Sequence, residues 1–146
     1  MTSICPECGA RLSGDETCQT IFEMFLSREY VDPAYGAVHF LTVACFMLQH
    51  GRYSDQAVAW MRDLLRDYLD QDLTPAQLRH RASQGTSSQS RQWKVLRAGD
   101  APPLPKVAWS MTIADVAHQY TDADSYRVLI TQWARVTLRE ISALQP

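Results

Sequence analysis

Two cysteines separated by two residues, in the run Cys5-Pro6-Glu7-Cys8-Gly9, lie in a segment with no other evident means of holding a shape. Residues 1 to 14 carry glycine at positions 9 and 14 and almost no apolar periodicity, so they offer no face to pack. The spacing predicts an irregular loop organised by a metal ion. Two thiolates at this separation can turn their sulfurs toward one tetrahedral ion, and glycine permits the positive φ such a turn often needs. Zinc is the ion this chemistry favours. A redox-active Cys-x-x-Cys is the competing reading, but thioredoxin-like motifs sit between a strand and a helix, and no strand is expected before Cys5.

The pattern changes to helical from about Asp15. Ile21, Phe22, Phe25 and Leu26 share one face of a first helix that should end near Tyr30. Asp32-Pro33 reads as an N-cap with proline at the first helical position, and Gly51 as a stop, which predicts one continuous apolar helix from Pro33 to His50. Ser54 caps a third helix to about Asp70, with Val58, Met61, Leu65, Tyr68 and Leu69 as its buried stripe. Thr74-Pro75-Ala76-Gln77 starts a short fourth helix that should fade before Gly85. A long crossover loop is expected over 85–110, containing an extended piece at Trp93 to Leu96 and the Pro102-Pro103-Leu104-Pro105 run. A short helix after Thr112 and a last one from Asp122 to Leu144 complete the chain. Its expected stripe is Tyr126, Leu129, Ile130, Trp133, Val136, Thr137 and Ile141.

A structural zinc site needs four donors. Cys18, in the first turn of the first helix, is the third, placed where the positive end of the helix dipole favours a thiolate. The short link around Val31 makes the first two helices an antiparallel hairpin, which sets the start of the first beside the stretch Cys45 to His50 and leaves His39 opposite its middle. His39 and His50 share a helix face but stand about 16 Å apart along the axis, so one ion cannot take both. His50 is the expected fourth ligand, with Cys45 or His39 as the alternative. Cys45 otherwise reads as a small core residue and His39 as a hydrogen-bonded core imidazole.

Charge and composition narrow the function classes. A formal net charge of −2 gives no overall field for nucleic acid or an anionic membrane. No stretch approaches the roughly 18 to 20 apolar residues of a membrane span. The start of the chain lacks the pattern of a signal peptide, so the cytoplasm is the expected location, and the four cysteines are expected as metal ligands, reactive thiols or core residues and not as a disulfide framework. No nucleophile elbow, phosphate-binding glycine loop or H-E-x-x-H helix is present. Asp115 and Asp122 read as surface or helix-start carboxylates. Arg79, Arg81, Arg91, Lys94, Arg97 and Lys106 face only Asp100 across 79–106, and with Trp93 they form a candidate patch for a protein or nucleic-acid partner. The competing reading is a solvated loop that balances the acidic third helix, with Asp55, Asp63, Asp67, Asp70 and Asp72.

The run C-P-E-C-G-A from Cys5, the lone Cys18, the stretch D-P-A-Y-G-A-V-H-F-L-T-V-A-C-F-M-L-Q-H from Asp32 to His50, and W-S-M-T-I-A-D-V from Trp109 together resemble the bacterial family called domain of unknown function 5946. Its members read H-x-L-T-V followed by Q-H-P. Here His39, Leu41, Thr42, Val43, Gln49 and His50 match, and Gly51 replaces the proline. The resemblance implies a whole-chain unit with a Cys/His metal centre to which both His39 and His50 belong, and it supplies no activity.

The expected fold is an all-α single domain over 1–146: a zinc knuckle at 1–14, helices within 15–83, the long loop at 85–110 and C-terminal helices within 112–144. The knuckle packs on a central helical hairpin. The expected function is a zinc-stabilised binding or regulatory module. The alternatives are a metal-dependent enzyme using His39 or an open zinc position, and a thiol redox protein with an accessible Cys5.

Overall fold

Apolar stripes at helical spacing dominate the chain, and the fold is built on them. The structure is a computed structural model and describes residues 2–86, 94–99 and 107–144. Within these, two short strands, β1 (Thr2–Ile4) and β2 (Arg11–Ser13), precede seven helices: α1 (Cys18–Val31), α2 (Pro33–Gly36), α3 (His39–Gln49), α4 (Asp55–Gln71), α5 (Pro75–Thr86), α6 (Ile113–Gln119) and α7 (Ala123–Leu144). The protein is mostly helical, as the periodicity predicts.

The first fourteen residues are more regular than expected. β1 and β2 pair antiparallel in the register Thr2↔Ser13, Ser3↔Leu12 and Ile4↔Arg11, so the knuckle is the loop of a β-hairpin and a strand does precede Cys5. A three-residue strand with every residue exposed carries no apolar alternation by which a sequence could reveal it. β1 leads into the hairpin loop and not into a helix, so the setting is still unlike that of a thioredoxin motif.

The helix expected to run unbroken from Pro33 to His50 is two helices. Asp32 Oδ1 accepts from the Ala34 N–H at 2.9 Å, which caps α2 as read. After one turn the chain bends at Ala37 and Val38 and restarts as α3. The turn before the bend lies tight against α1: a Cβ on Gly36 would lie 2.6 Å from the Glu29 carbonyl oxygen, so α2 approaches the last turn of α1 as closely as only glycine allows. The bend also returns His39 to the end of α1, next to Glu29, and not to its middle.

The remaining starts are capped as expected. Ser54 Oγ accepts from the Ala57 N–H at 3.2 Å, and Thr74 and Gln77 form a reciprocal box at 2.9 and 3.1 Å. α5 continues through Gly85 to Thr86, since one glycine costs a helix only about 1 kcal/mol. Asp115 accepts from the Thr112 N–H at 2.8 Å and Asp122 from the Ser125 N–H at 2.9 Å, the helix-start roles assigned to them.

α7 packs on α3, α4, α2 and α6. Its buried face is Tyr126, Ile130, Trp133, Ala134, Thr137 and Ile141, with Leu129 and Val136 half-buried beside them. Of the crossover, 94–99 bridges back to α4: Leu96 pairs with Tyr53, and the Ser54 N–H donates to the Val95 carbonyl at 2.8 Å. Trp93, Arg91, Lys106 and the Pro102–Pro105 run lie outside the described residues.

Candidate metal centre

Three elements bring four donor side chains together. The knuckle supplies Cys5 and Cys8. Its turn is closed by the Cys5 N–H on the Ala10 carbonyl and the Gly9 N–H on the Cys5 carbonyl, both at 2.9 Å, with Gly9 at φ +81°, a conformation that favours glycine. Cys18 opens α1 directly after a Thr17/Thr20 capping box, in which Thr17 Oγ1 accepts from the Thr20 N–H at 3.1 Å. His50 is the C-cap of α3. The one sulfur or ring nitrogen that each residue offers lies within 4.8 Å of the other three, and all four residues are buried.

The imidazole is aimed by its own helix. His50 Nδ1 donates to the Phe46 carbonyl at 2.8 Å, which orients the ring and leaves Nε2 facing Cys5 Sγ at 3.8 Å. The ring also stacks on Phe46, which stacks on Phe22 of α1. Aromatic packing therefore holds the last turn of α3 against the first helix, as the antiparallel hairpin predicts.

The sulfurs are electrostatically unequal. Cys8 and Cys18 stand 3.6 Å apart. The hydrogen bond from Cys18 pulls the Cys8 thiol well below its ordinary range, and His50 adds to this. The same contact with Cys8, together with burial, pushes Cys18 up, against the helix dipole. Burial alone would lower His50, but the hydrogen bond and charge of Cys8 raise it above its ordinary value. Two buried thiolates this close repel strongly, so only one is stable unless a cation joins them.

Cys45 and His39, the alternative fourth ligands, are outside this group. Cys45 is fully buried on α3, its thiol hydrogen-bonded to Thr137 and pushed up to about 12 by burial. His39 is not a core imidazole: its side chain is 58% exposed, with Nδ1 2.8 Å from Glu29 Oε1. The basic stretch behaves in part as a counterweight to α4, with Arg81 bonded to Asp67 at 2.7 Å and Arg97 to Asp55 at 3.3 Å.

A second polar constellation has no counterpart among the sequence expectations. Glu29 is buried, and besides His39 it accepts from Thr42 Oγ1 at 2.6 Å and from the Tyr126 hydroxyl at 2.5 Å. One carboxylate thus joins α1, α3 and α7. Its signal was its place in the pattern: Glu29 continues the Ile21, Phe22, Phe25 face, where an acidic side chain is costly unless partnered.

A mostly helical fold with a Cys3His cluster near the N-terminus, built on a β-hairpin loop and two helix ends, defines the class. The sequence pattern of the family of unknown function DUF5946 matches residues 3–142, and the chain belongs to that family. No curated protein and no solved structure matches it. No helix among the described residues is long and apolar enough to cross a membrane.

Proposed function

We propose that Cys5, Cys8, Cys18 and His50 hold one structural zinc ion, and that the chain is a zinc-stabilised binding or regulatory module. The mutual approach of four buried donors within 4.8 Å carries this reading. Zinc–thiolate bonds of about 2.3 Å in a tetrahedron set neighbouring ligand atoms about 3.5 to 3.8 Å apart. The 3.6 Å sulfur pair and the 3.8 Å sulfur–nitrogen pair agree with that spacing. A dication also removes the repulsion that otherwise keeps one of the sulfurs protonated.

The ion's work would be mechanical. β1 and β2 bury only Leu12 between them, too little to order a three-residue pair of strands, so metal ligation is what ties the hairpin to the start of α1 and the end of α3. Four protein donors leave no open position for substrate, which weighs against the metal-dependent enzyme, and His39 is outside the donor group. Free thiolate ligands suit a reducing compartment such as the cytoplasm. Metal analysis of protein purified without chelator tests the reading: about one zinc per chain is expected, and a folded, metal-free protein with four free thiols would refute it.

A further inference from the structure

We propose that Cys8 and Cys18 form a site of oxidative modification: a peroxide entering the cleft beside Cys18 closes them into a disulfide, which expels the metal ion and frees the knuckle from α3. The metal-release half rests on the zinc reading above. The disulfide half stands on the sulfur geometry alone.

Three observations select this pair. Their sulfurs are 3.6 Å apart, so roughly 1.5 Å of approach gives a disulfide bond. Cys5 is also within 4.8 Å of the other donors, but the contact that fixes its sulfur is His50 Nε2 at 3.8 Å, whereas Cys8 and Cys18 meet each other directly. Access is also unequal: a cleft of about 280 Å³ is lined by Cys5, Cys18 and His50 but not by Cys8, which is 2% exposed behind them. Both Cys5 and Cys18 can be met by an entering oxidant, and of the two it is Cys18 that has Cys8 at 3.6 Å behind it to resolve the oxidised sulfur. The other thiol, Cys45, is enclosed in the core beside Thr137 and can resolve nothing here.

The chemistry balances with hydrogen peroxide as the sole oxidant. The Cys18 sulfur attacks one peroxide oxygen; an S–O bond forms, the O–O bond breaks, and the departing hydroxide becomes water by taking the thiol's own proton, or a solvent proton where Cys18 is already a thiolate. The Cys8 thiolate then attacks the Cys18 sulfenic sulfur. An S–S bond forms, the S–O bond breaks, and a second hydroxide is protonated to water. Two thiolates lose two electrons, peroxide gains them, and zinc keeps its charge. A resolving thiol at this distance competes with further oxidation to sulfinic acid. The product leaves Cys5 and His50 as the remaining donors, two short of a structural zinc site. The disulfide links knuckle to α1, so the connection that is lost is the one to His50 and the end of α3.

The test uses the full-length protein after its zinc content has been measured. It is treated with hydrogen peroxide while released zinc is monitored with a chromophoric chelator, then alkylated and mapped by peptide mass spectrometry. A Cys8–Cys18 disulfide appearing in step with one released zinc, reversed by a thiol reductant plus zinc, is expected, and Cys45→Ser should give the same result. A bridge from Cys5 to either partner, or sulfinic acid with no disulfide, overturns the proposal while leaving the zinc reading intact. A protein that never held zinc yet forms Cys8–Cys18 upholds the sulfur pair and overturns the metal-release half.

Discussion

His39 Nδ1 and Glu29 Oε1 meet at 2.8 Å at one end of the α1–α3 pair, whose other end brings Cys18 to His50. The two histidines of one helix are thereby given separate work. His50 points into the buried sulfur cluster, and His39, half in solvent, completes the bonding of a carboxylate enclosed by three helices.

Substituting the two histidines separates these roles. His50→Ala is expected to lose the bound zinc and lower thermal stability, because three thiols without the imidazole no longer complete the site. His39→Ala is expected to retain zinc and lose about 1 to 3 kcal/mol through the under-bonded Glu29 carboxylate. Metal stoichiometry and thermal melts of the two variants, measured side by side, check both expectations. Loss of zinc from the His39 variant alone would reverse the assignment.

The Glu29 network predicts non-additive energetics. Glu29→Gln and Tyr126→Phe should each destabilise by about 1 to 3 kcal/mol, and the double variant by less than their sum, since Tyr126 donates to the carboxylate that Gln replaces. Urea unfolding of the two single variants and the double variant measures the coupling. Zinc content should not change in any of them.

Stability should fall on the alkaline side. Burial pushes Tyr53 up to about 12, and burial together with the Glu29 hydrogen bond pushes Tyr126 above its ordinary value of 10.0. Between the unfolded and folded values the unfolded chain releases phenolic protons that the folded protein retains. The tyrosine part of the stabilisation is therefore fully present below about pH 10 and is lost as pH rises toward 12 and beyond, and the buried Cys45 thiol, raised from 9.0 to about 12, adds a loss that begins near pH 9. Denaturant midpoints taken from pH 8 to 11.5 should decline from about pH 9 and more steeply above about pH 10, and Tyr126→Phe should flatten part of the steeper decline.

Gly36→Ala tests the close approach of α2 to α1. The added methyl would meet the Glu29 carbonyl oxygen at 2.6 Å, backbone against backbone, with no flexible side chain to yield. A loss of about 1 to 3 kcal/mol is expected although alanine is the better helix former. An unchanged or raised melting temperature would show that the α1–α2 packing is looser than this contact implies.

The sequence by itself determined what local chemistry encodes. Apolar spacing specified the face of α7 around Ile130 and Trp133, capping residues specified the starts of α4, α5 and α6, and the Cys5–Cys8 spacing with Cys18 marked three donors. Counting along an antiparallel hairpin set His50 beside Cys18, where the four side chains do lie together, but the same count assumed an unbroken helix and put His39 opposite the middle of α1. The tertiary structure alone decided what depends on surroundings. The β-hairpin pairs three exposed residues with residues 11–13, which no local pattern in the chain announces. The break between α2 and α3 falls just after Gly36, where α2 lies against the Glu29 carbonyl, an atom outside that helix. Glu29, Thr42 and Tyr126 lie on three different helices, and their bonding carries no sequence signal beyond a carboxylate on an apolar stripe. Periodicity and capping report interactions between near neighbours in the chain, whereas the cost of burying a charge is met only by partners that folding brings from far away.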